Sequence, residues 1–286
     1  MTFYPTKQFT LSFELFPPKT AAAEAAMYDN VEHLMAFHPD VITCTYGAGG
    51  SSQQKTLSVT TEVKRRFGVR VASHLTCVGS TVDQLRAYLR EAQNRGVDNI
   101  VALRGDPPKD QATFQAVAGG LRYANELLAL IRKEFPGYGV AVAGYPETHQ
   151  EAPSFEVDLQ NLQRKVAAGA DVVLTQLYYD NADFFRFRDR CDAAGIHVPL
   201  VPGILPVTSL SQIQRITSMC GARLPDTFVN DLGQRDDDDW QFQVGIEFAT
   251  KQVQALVDAD VPGIHFYVLN KSQATSAVLK AIQRPE

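Results

Sequence analysis

The feature that most constrains this chain is a repeating alternation. A short β-branched or aromatic run is followed by a turn and an amphipathic stretch, and the unit then recurs. Strand-like runs fall at residues 9–16, 41–45, 70–75, 99–103, 140–144, 172–177, 198–201 and 264–268. Between them, residues 82–94, 121–133, 157–168 and 182–193 carry apolar side chains at helical spacing. Gly96, Gly169 and Gly195 fall just past helix ends, where a left-handed cap is wanted. Strands alternating with helices imply a parallel sheet, and eight is the number that closes a barrel. The expected fold is therefore α/β, a single-domain (β/α)8 TIM barrel over residues 1–286, with an open doubly wound sheet as the structural alternative. The connection between residues 201 and 264 is too long for one unit and carries two helical stretches, 209–219 and 240–257. The acidic run 236–239 within it reads as a solvated turn or a helix N-terminus.

Composition narrows the function. With 45% hydrophobic residues the chain can bury a large core, and its net charge of −5 argues against a general nucleic-acid or anionic-membrane binder. No apolar run approaches the roughly 20 residues of a spanning helix, and residues 1–7 lack a signal core. Cys44, Cys77, Cys191 and Cys220 show no C-x-x-C pair or zinc spacing, so they read as reduced thiols of a cytoplasmic protein with no metal site. Dinucleotide, P-loop, G-x-S-x-G and H-E-x-x-H signatures are all missing.

In a β/α barrel the active site forms where the strands end, and polar residues gather there. Glu14 sits on strand one before Pro17-Pro18, Thr45-Tyr46-Gly47 ends strand two, and His74 and Thr76 lie on strand three. Arg104-Gly105-Asp106 ends strand four, Tyr145-Pro146-Glu147 strand five, Gln176 strand six and Asn270-Lys271 the last. Glu14 shares a strand face with Ser12 and Phe16. Buried without a partner, its carboxyl is pushed up, as a general acid at neutral pH requires; paired with a barrel Arg or Lys, it is structural. Arg104-Gly105-Asp106 reads either as a ligand-approach loop or as a turn with a capping Asp. His74 alone reads more readily as a satisfied core histidine than as a metal ligand. Asp158, Asn161 and Lys165 share one helix stripe, which by default faces solvent.

Taken together, several stretches resemble the bacterial methylenetetrahydrofolate reductases. They are residues 12–20 (SFELFPPKT), 45–48 (TYGA), 74–77 (HLTC), 100–106 (IVALRGD) and 145–147 (YPE) with His149. Farther on come 165–166, 168–170, 175–176, 187–191 (FRDRC), 202–207 (PGILPV) and 265–267 (HFY). They span nearly the whole chain in the family's order. The resemblance implies an eight-fold barrel binding FAD through Thr45, Ala48, His74, Arg104, Gly105, Asp106, Tyr145, His149, Asp158, Asn161, Arg164 and Lys165. It implies NADH as reductant, 5,10-methylenetetrahydrofolate as acceptor, and a product that feeds methionine synthesis. Glu14 would be the acid that protonates the folate, and Asp106 would bind folate and tune the flavin's charge. Gln176, Gln212, Ile216 and Lys271 would line the substrate site, and the barrels would associate as homo-oligomers. The chain stops soon after the last barrel unit, so inhibition by S-adenosylmethionine is not expected.

Two positions depart from the family's pattern. Ile216 stands where an aromatic ring stacks on nicotinamide or folate, and Lys271 stands where an Arg holds the folate's glutamate tail. Ile keeps apolar contact without a π face, and Lys keeps charge without a bidentate fork. The alternatives are a flavin barrel acting on another small molecule, and a catalytically silent barrel that binds flavin or folate.

Overall fold

A computed structural model of the protein describes residues 2–5, 9–46, 53–107 and 113–285. All sheet pairings are parallel, in the order β7-β6-β5-β4-β3-β2-β1-β9-β8. The strands are β1 Thr10–Leu15, β2 Val41–Cys44, β3 Arg70–Thr76, β4 Asn99–Leu103, β5 Gly139–Gly144, β6 Val172–Thr175, β7 Leu200–Val201, β8 Gly203–Ile204 and β9 Gly263–Tyr267. The sheet's two outermost members, β7 and β8, are separated by one residue, Pro202. β7 pairs with β6 and β8 with β9, so the backbone of residues 200–204 is the eighth stave and the sheet closes into a (β/α)8 TIM barrel.

Pro202 has no N–H to give the ladder, which is why one stave reads as two strands. The surroundings absorb the loss. The Pro202 carbonyl accepts the His265 N–H at 2.9 Å, and the Gly203 N–H donates to Thr175 Oγ1 at 2.8 Å. The stave thus extends three residues beyond the expected end at 201.

Ten helices are described: α1 Ala21–Met35, α2 Gln53–Phe67, α3 Val82–Asn94, α4 Ala124–Glu134, α5 Phe155–Ala167, α6 Asn181–Ala193, α7 Leu210–Cys220, α8 Asp226–Gly233, α9 Asp238–Asp258 and α10 Gln273–Ala281. Gly96, Gly169 and Gly195 follow α3, α5 and α6 with φ of +75°, +109° and +73°, the caps the sequence called for. Asp237 caps α9 by accepting the Trp240 N–H at 2.6 Å, so the acidic run begins a helix. α8 was not expected. It has only two turns, held by buried Phe228 and Leu232, too short for periodicity to reveal.

Alternation along each strand divides the core in two. On β1, Leu11, Phe13 and Leu15 face the helices and belong to the large outer cluster. The barrel interior is filled by a smaller set, Val41, Ala72, Val101, Ala141, Val172, Leu174 and Val201, with Phe3 and Tyr4 from the N-terminal segment. Phe3 closes the end where strands begin: Asn99 Nδ2 donates to its carbonyl at 3.2 Å, and a Cβ on Gly139 would stand 2.6 Å from Phe3 Cα. A third apolar cluster, including Leu177, Leu205, Ile213, Phe228 and Leu232, packs α7 and α8 over the opposite end. One end of the barrel is plugged, and the other carries the polar residues.

Candidate active site

Ser12 and Glu14 share the inward parity of β1, and Glu14 is 6% exposed at the upper end of the barrel. Pairing sets Thr43 of β2 and Tyr267 of β9 beside it. Its Oε2 lies 3.4 Å from His265 Nε2 and 3.2 Å from His74 Nε2. The His265 contact is a hydrogen bond at the long end of the range; the His74 contact is a close approach without an aligned hydrogen bond. Burial alone pushes the Glu14 carboxyl up, but the two imidazoles outweigh it and hold it at about 2. The expected rise is therefore overturned. The partners are imidazoles, not the Arg or Lys weighed from sequence.

Tyr267 is fixed by a contact that only a glycine permits. Its hydroxyl crosses the eighth stave and donates to the Thr175 carbonyl at 2.7 Å. A Cβ on Gly203 would collide with that same oxygen and meet the Tyr267 ring at 2.8 Å. Among the described residues, Thr43 Oγ1, Thr76 Oγ1 and His74 Nε2 are buried without an aligned hydrogen-bond partner. Three orphaned polar atoms on β2 and β3 are costly in a closed core and natural in a site that receives a polar ligand.

The loop after β4 places Arg104 where its guanidinium forks onto Glu151 at 2.5 and 2.8 Å and lies 5.2 Å from the Phe114 ring. Gly105 has φ +88°, and a Cβ there would stand 2.7 Å from Val78 Cγ1, so only glycine lets this loop approach the barrel. Asp106 is exposed after β4, and Thr45 is half-buried after β2. Tyr145 and His149 meet edge to face at 4.6 Å, and the His149 N–H donates to Asp158 at 2.9 Å. Burial, and then the nearby Arg104 cation, lower the proton affinity of His149.

The polar stripe of α5 splits. Asp158 is buried, and Lys165 turns in to donate to the Ala143 carbonyl at 2.5 Å, its ammonium 5.7 Å from the Tyr145 ring centre. Burial pulls Lys165 down to about 8 despite the Asp158 carboxylate. Asn161 and Arg164 remain exposed and bond each other at 2.9 Å. Tyr145, Asp158, Lys165 and Phe187 line a crevice too narrow to hold a water molecule. The solvated-face default therefore fails for Asp158 and Lys165 and holds for Asn161.

Gln176 is half-buried at the end of β6, its Oε1 accepting the Leu177 N–H at 2.9 Å. Gln212 accepts the Thr208 hydroxyl at 3.2 Å on exposed α7, and Ile216 packs into the apolar cluster under that helix. Lys271 is exposed beyond β9. Before it, Leu269 and Asn270 are both left-handed, with φ +49° and +58°, and Asn270 clamps Phe16 through both backbone groups at 2.8 Å. Ala48 lies outside the described residues. His265 was missed as a site group. Its inward parity on the last strand was the available signal, but its meeting with Glu14 depends on the pairing of β1 with β9.

A closed β/α barrel, plugged at one end and carrying at the other a buried carboxylate, two imidazoles and orphaned hydroxyls, defines the class: a barrel with a ligand site at its strand ends. Residues 2–283 match the family model described as methylenetetrahydrofolate reductase, and the chain belongs to that family. It is 38% identical over 272 residues to the 5,10-methylenetetrahydrofolate reductase of Escherichia coli (strain K12), covering 95% of this chain and 90% of that one. It is 33% identical over 283 residues to methylenetetrahydrofolate reductase (NADH) 1 of Arabidopsis thaliana, covering 95% of this chain but 48% of the plant protein. Among solved structures, an uncharacterized protein from Clostridium thermocellum that binds two copies of 5-methyl-5,6,7,8-tetrahydrofolic acid shares the fold, with TM-score 0.62, 12% identity and coverage of 96% and 93%.

Proposed function

We propose that this protein reduces 5,10-methylenetetrahydrofolate to 5-methyltetrahydrofolate, using NADH as reductant and FAD as the resident cofactor. The observation that carries the reading is Glu14, a buried carboxylate at the strand ends held between two imidazoles inside a family barrel. The name of the Arabidopsis relative supports NADH. Bound FAD would supply the hydride chemistry, taking hydride from the nicotinamide and giving it to the folate.

The residues fit such a group. The unpartnered Thr43, Thr76 and His74 atoms offer hydrogen bonds at the strand ends, and Gly105 allows close backbone approach. Thr45, His74, Arg104, Gly105, Asp106, Tyr145 and His149 would hold the cofactor at and beyond the strand ends, with Asp158, Asn161, Arg164 and Lys165 on α5; Ala48 would join them by the family's pattern. Arg104, Arg164 and Lys165 supply cations for phosphates in a chain of net charge −5. Gln176, Gln212, Ile216 and Lys271 would position substrate, Ile216 by apolar contact and Lys271 by charge alone.

The reaction needs a proton as well as hydride, because the methylene carbon accepts hydride only once its ring has opened to an iminium. Glu14 delivers that proton to the folate nitrogen. A carboxyl held at about 2 is a strong acid but seldom loaded at neutral pH. His265, hydrogen-bonded to Oε2, is the group placed to pass it a proton. Tyr267 stays protonated, since burial and then the Glu14 charge oppose its ionisation, and it presents a fixed hydroxyl beside the carboxylate.

Anaerobic stopped-flow separates the two half-reactions. Glu14→Gln is expected to slow folate reduction by about 100-fold or more, the scale of a lost general acid, and to slow flavin reduction by NADH by less than about tenfold. Equal loss in both halves would make Glu14 structural. Purified protein without flavin absorbance would remove FAD from the reading.

A further inference from the structure

Below Glu14 and His265 the barrel axis carries two hydroxyls, of Ser12 and Tyr4, that the proposed reaction does not use. His265 Nδ1 lies 2.8 Å from Ser12 Oγ, and Ser12 Oγ lies 2.6 Å from the Tyr4 hydroxyl. Ser12 and His265 are fully buried and Tyr4 nearly so. Tyr4 belongs to the segment that plugs the far end, so a continuous chain Glu14–His265–Ser12–Tyr4 runs from the strand ends toward the N-terminal face. Among the described residues Ser12 is the one hydrogen-bond partner of the Tyr4 hydroxyl.

Counting protons fixes the direction of each bond. With Glu14 ionised and His265 neutral, Nε2–H donates to Glu14 and Nδ1 is an acceptor. Ser12 then donates to Nδ1, and Tyr4 donates to Ser12, so every donor has an acceptor. With one more proton on Glu14 or His265, Nδ1–H donates to Ser12, and Ser12 must turn its single proton toward Tyr4. The polarity of the whole chain reverses. Without a hydroxyl at position 4, loading the pair strands the Ser12 proton in a fully buried site, which disfavours the loaded state.

We propose that Tyr4 and Ser12 are positioning residues through which the Glu14–His265 pair is loaded with a proton from the plugged, N-terminal end of the barrel. Tyr4 takes up a proton from solvent water at the N-terminal face as its own passes to Ser12; the Ser12 proton passes to Nδ1, and the Nε2 proton passes to Glu14 Oε2. No bond other than O–H and N–H changes, and nothing is oxidised or reduced. The proposal rests on the reading of Glu14 as the acid, and it supplies that acid from the side away from the substrate. The groups that bear on the titration are His74 on β3, Cys44 on β2 and Tyr267 on β9 around Glu14, and Asp40, ahead of β2, near Tyr4. Burial, then the Asp40 charge against the relief from Ser12, keeps Tyr4 protonated, so it works as a neutral relay.

The test is a nitrogen-15 NMR titration of histidine-labelled holoenzyme, with the His265 signals assigned by their loss in His265→Asn. In the wild type, unloaded His265 is expected as the Nε2–H tautomer; an Nδ1–H tautomer overturns the proposal without any variant at position 4. Tyr4→Phe keeps the ring that packs on Phe3, 5.0 Å away edge to face, and is expected to lower the loading midpoint by about one pH unit, a tenfold change. The pH profile of the folate half-reaction moves the same way. An unmoved His265 midpoint in Tyr4→Phe sinks the chain. If Glu14→Gln still reduces folate, the acid assignment fails, while the His265 titration still reports on the relay.

Discussion

At the scale of single residues, Glu14 gives the clearest acid-stability signature. Its carboxyl is held at about 2 in the fold against a reference of 4.5. An ionised group with a depressed folded value contributes stability that is complete above about 4.5 and is lost as pH falls toward 2. Urea denaturation of the wild type between pH 5 and 3 is therefore expected to show a steeper loss than Glu14→Gln. Asp106 is the other residue-scale case. It is exposed in the loop after β4, and under the proposed function its charge opposes the anion of reduced flavin. Asp106→Asn is expected to raise the flavin potential by about 20 mV, roughly 1 kcal/mol for a two-electron couple, and to weaken folate binding about tenfold. An unchanged potential in a spectroelectrochemical titration removes Asp106 from that role.

At the scale of elements, α5 makes a testable claim about cofactor retention. Lys165 turns inward from that helix onto the Ala143 carbonyl, and burial lowers it to about 8. Below that value the ammonium is available to a phosphate; above it the cation is lost. Flavin release, followed by fluorescence, should therefore increase as pH rises through about 8 and lose this dependence in Lys165→Met. The folding term has a related sign. Because the unfolded lysine keeps its proton up to its reference value of 10.5, Lys165 favours the fold increasingly from about pH 8 upward. Elsewhere, α7 and the turn after it are tied down by Arg223, which donates to Asp183 at 3.0 Å and whose own N–H donates to Glu147 at 3.0 Å. These ties fix the helix that carries Gln212 and Ile216.

At the scale of the molecule, closure of the barrel rests on residues 200–204. Gly203 gives the Tyr267 ring room to cross to the Thr175 carbonyl. Gly203→Ala forces a methyl into that carbonyl, and it is expected to destabilise the protein by about 2–3 kcal/mol, the scale of overpacking in a filled interior. Urea unfolding measures it, and a loss below about 0.5 kcal/mol would mean that the stave yields freely.

Much of this protein is legible in its residue order. Strand and helix positions follow from local periodicity, as at residues 82–94, where the expected helix and α3 coincide. The end of the barrel that gathers the polar residues follows from chain direction, because strand ends collect Glu14, Arg104, Tyr145 and Gln176. The family's motifs are also local strings. What periodicity could not supply is every relation between distant strands. His265 meets Glu14 only because β1 pairs with β9, a register set by closure of the whole sheet. That pairing turns a carboxyl that burial would raise into one that two imidazoles hold down. Tyr4, eight residues before Ser12, reaches it only because the N-terminal segment folds back into the barrel. Order along the chain determined the elements, while electrostatics within the site depended on distances that exist only after the ring is shut.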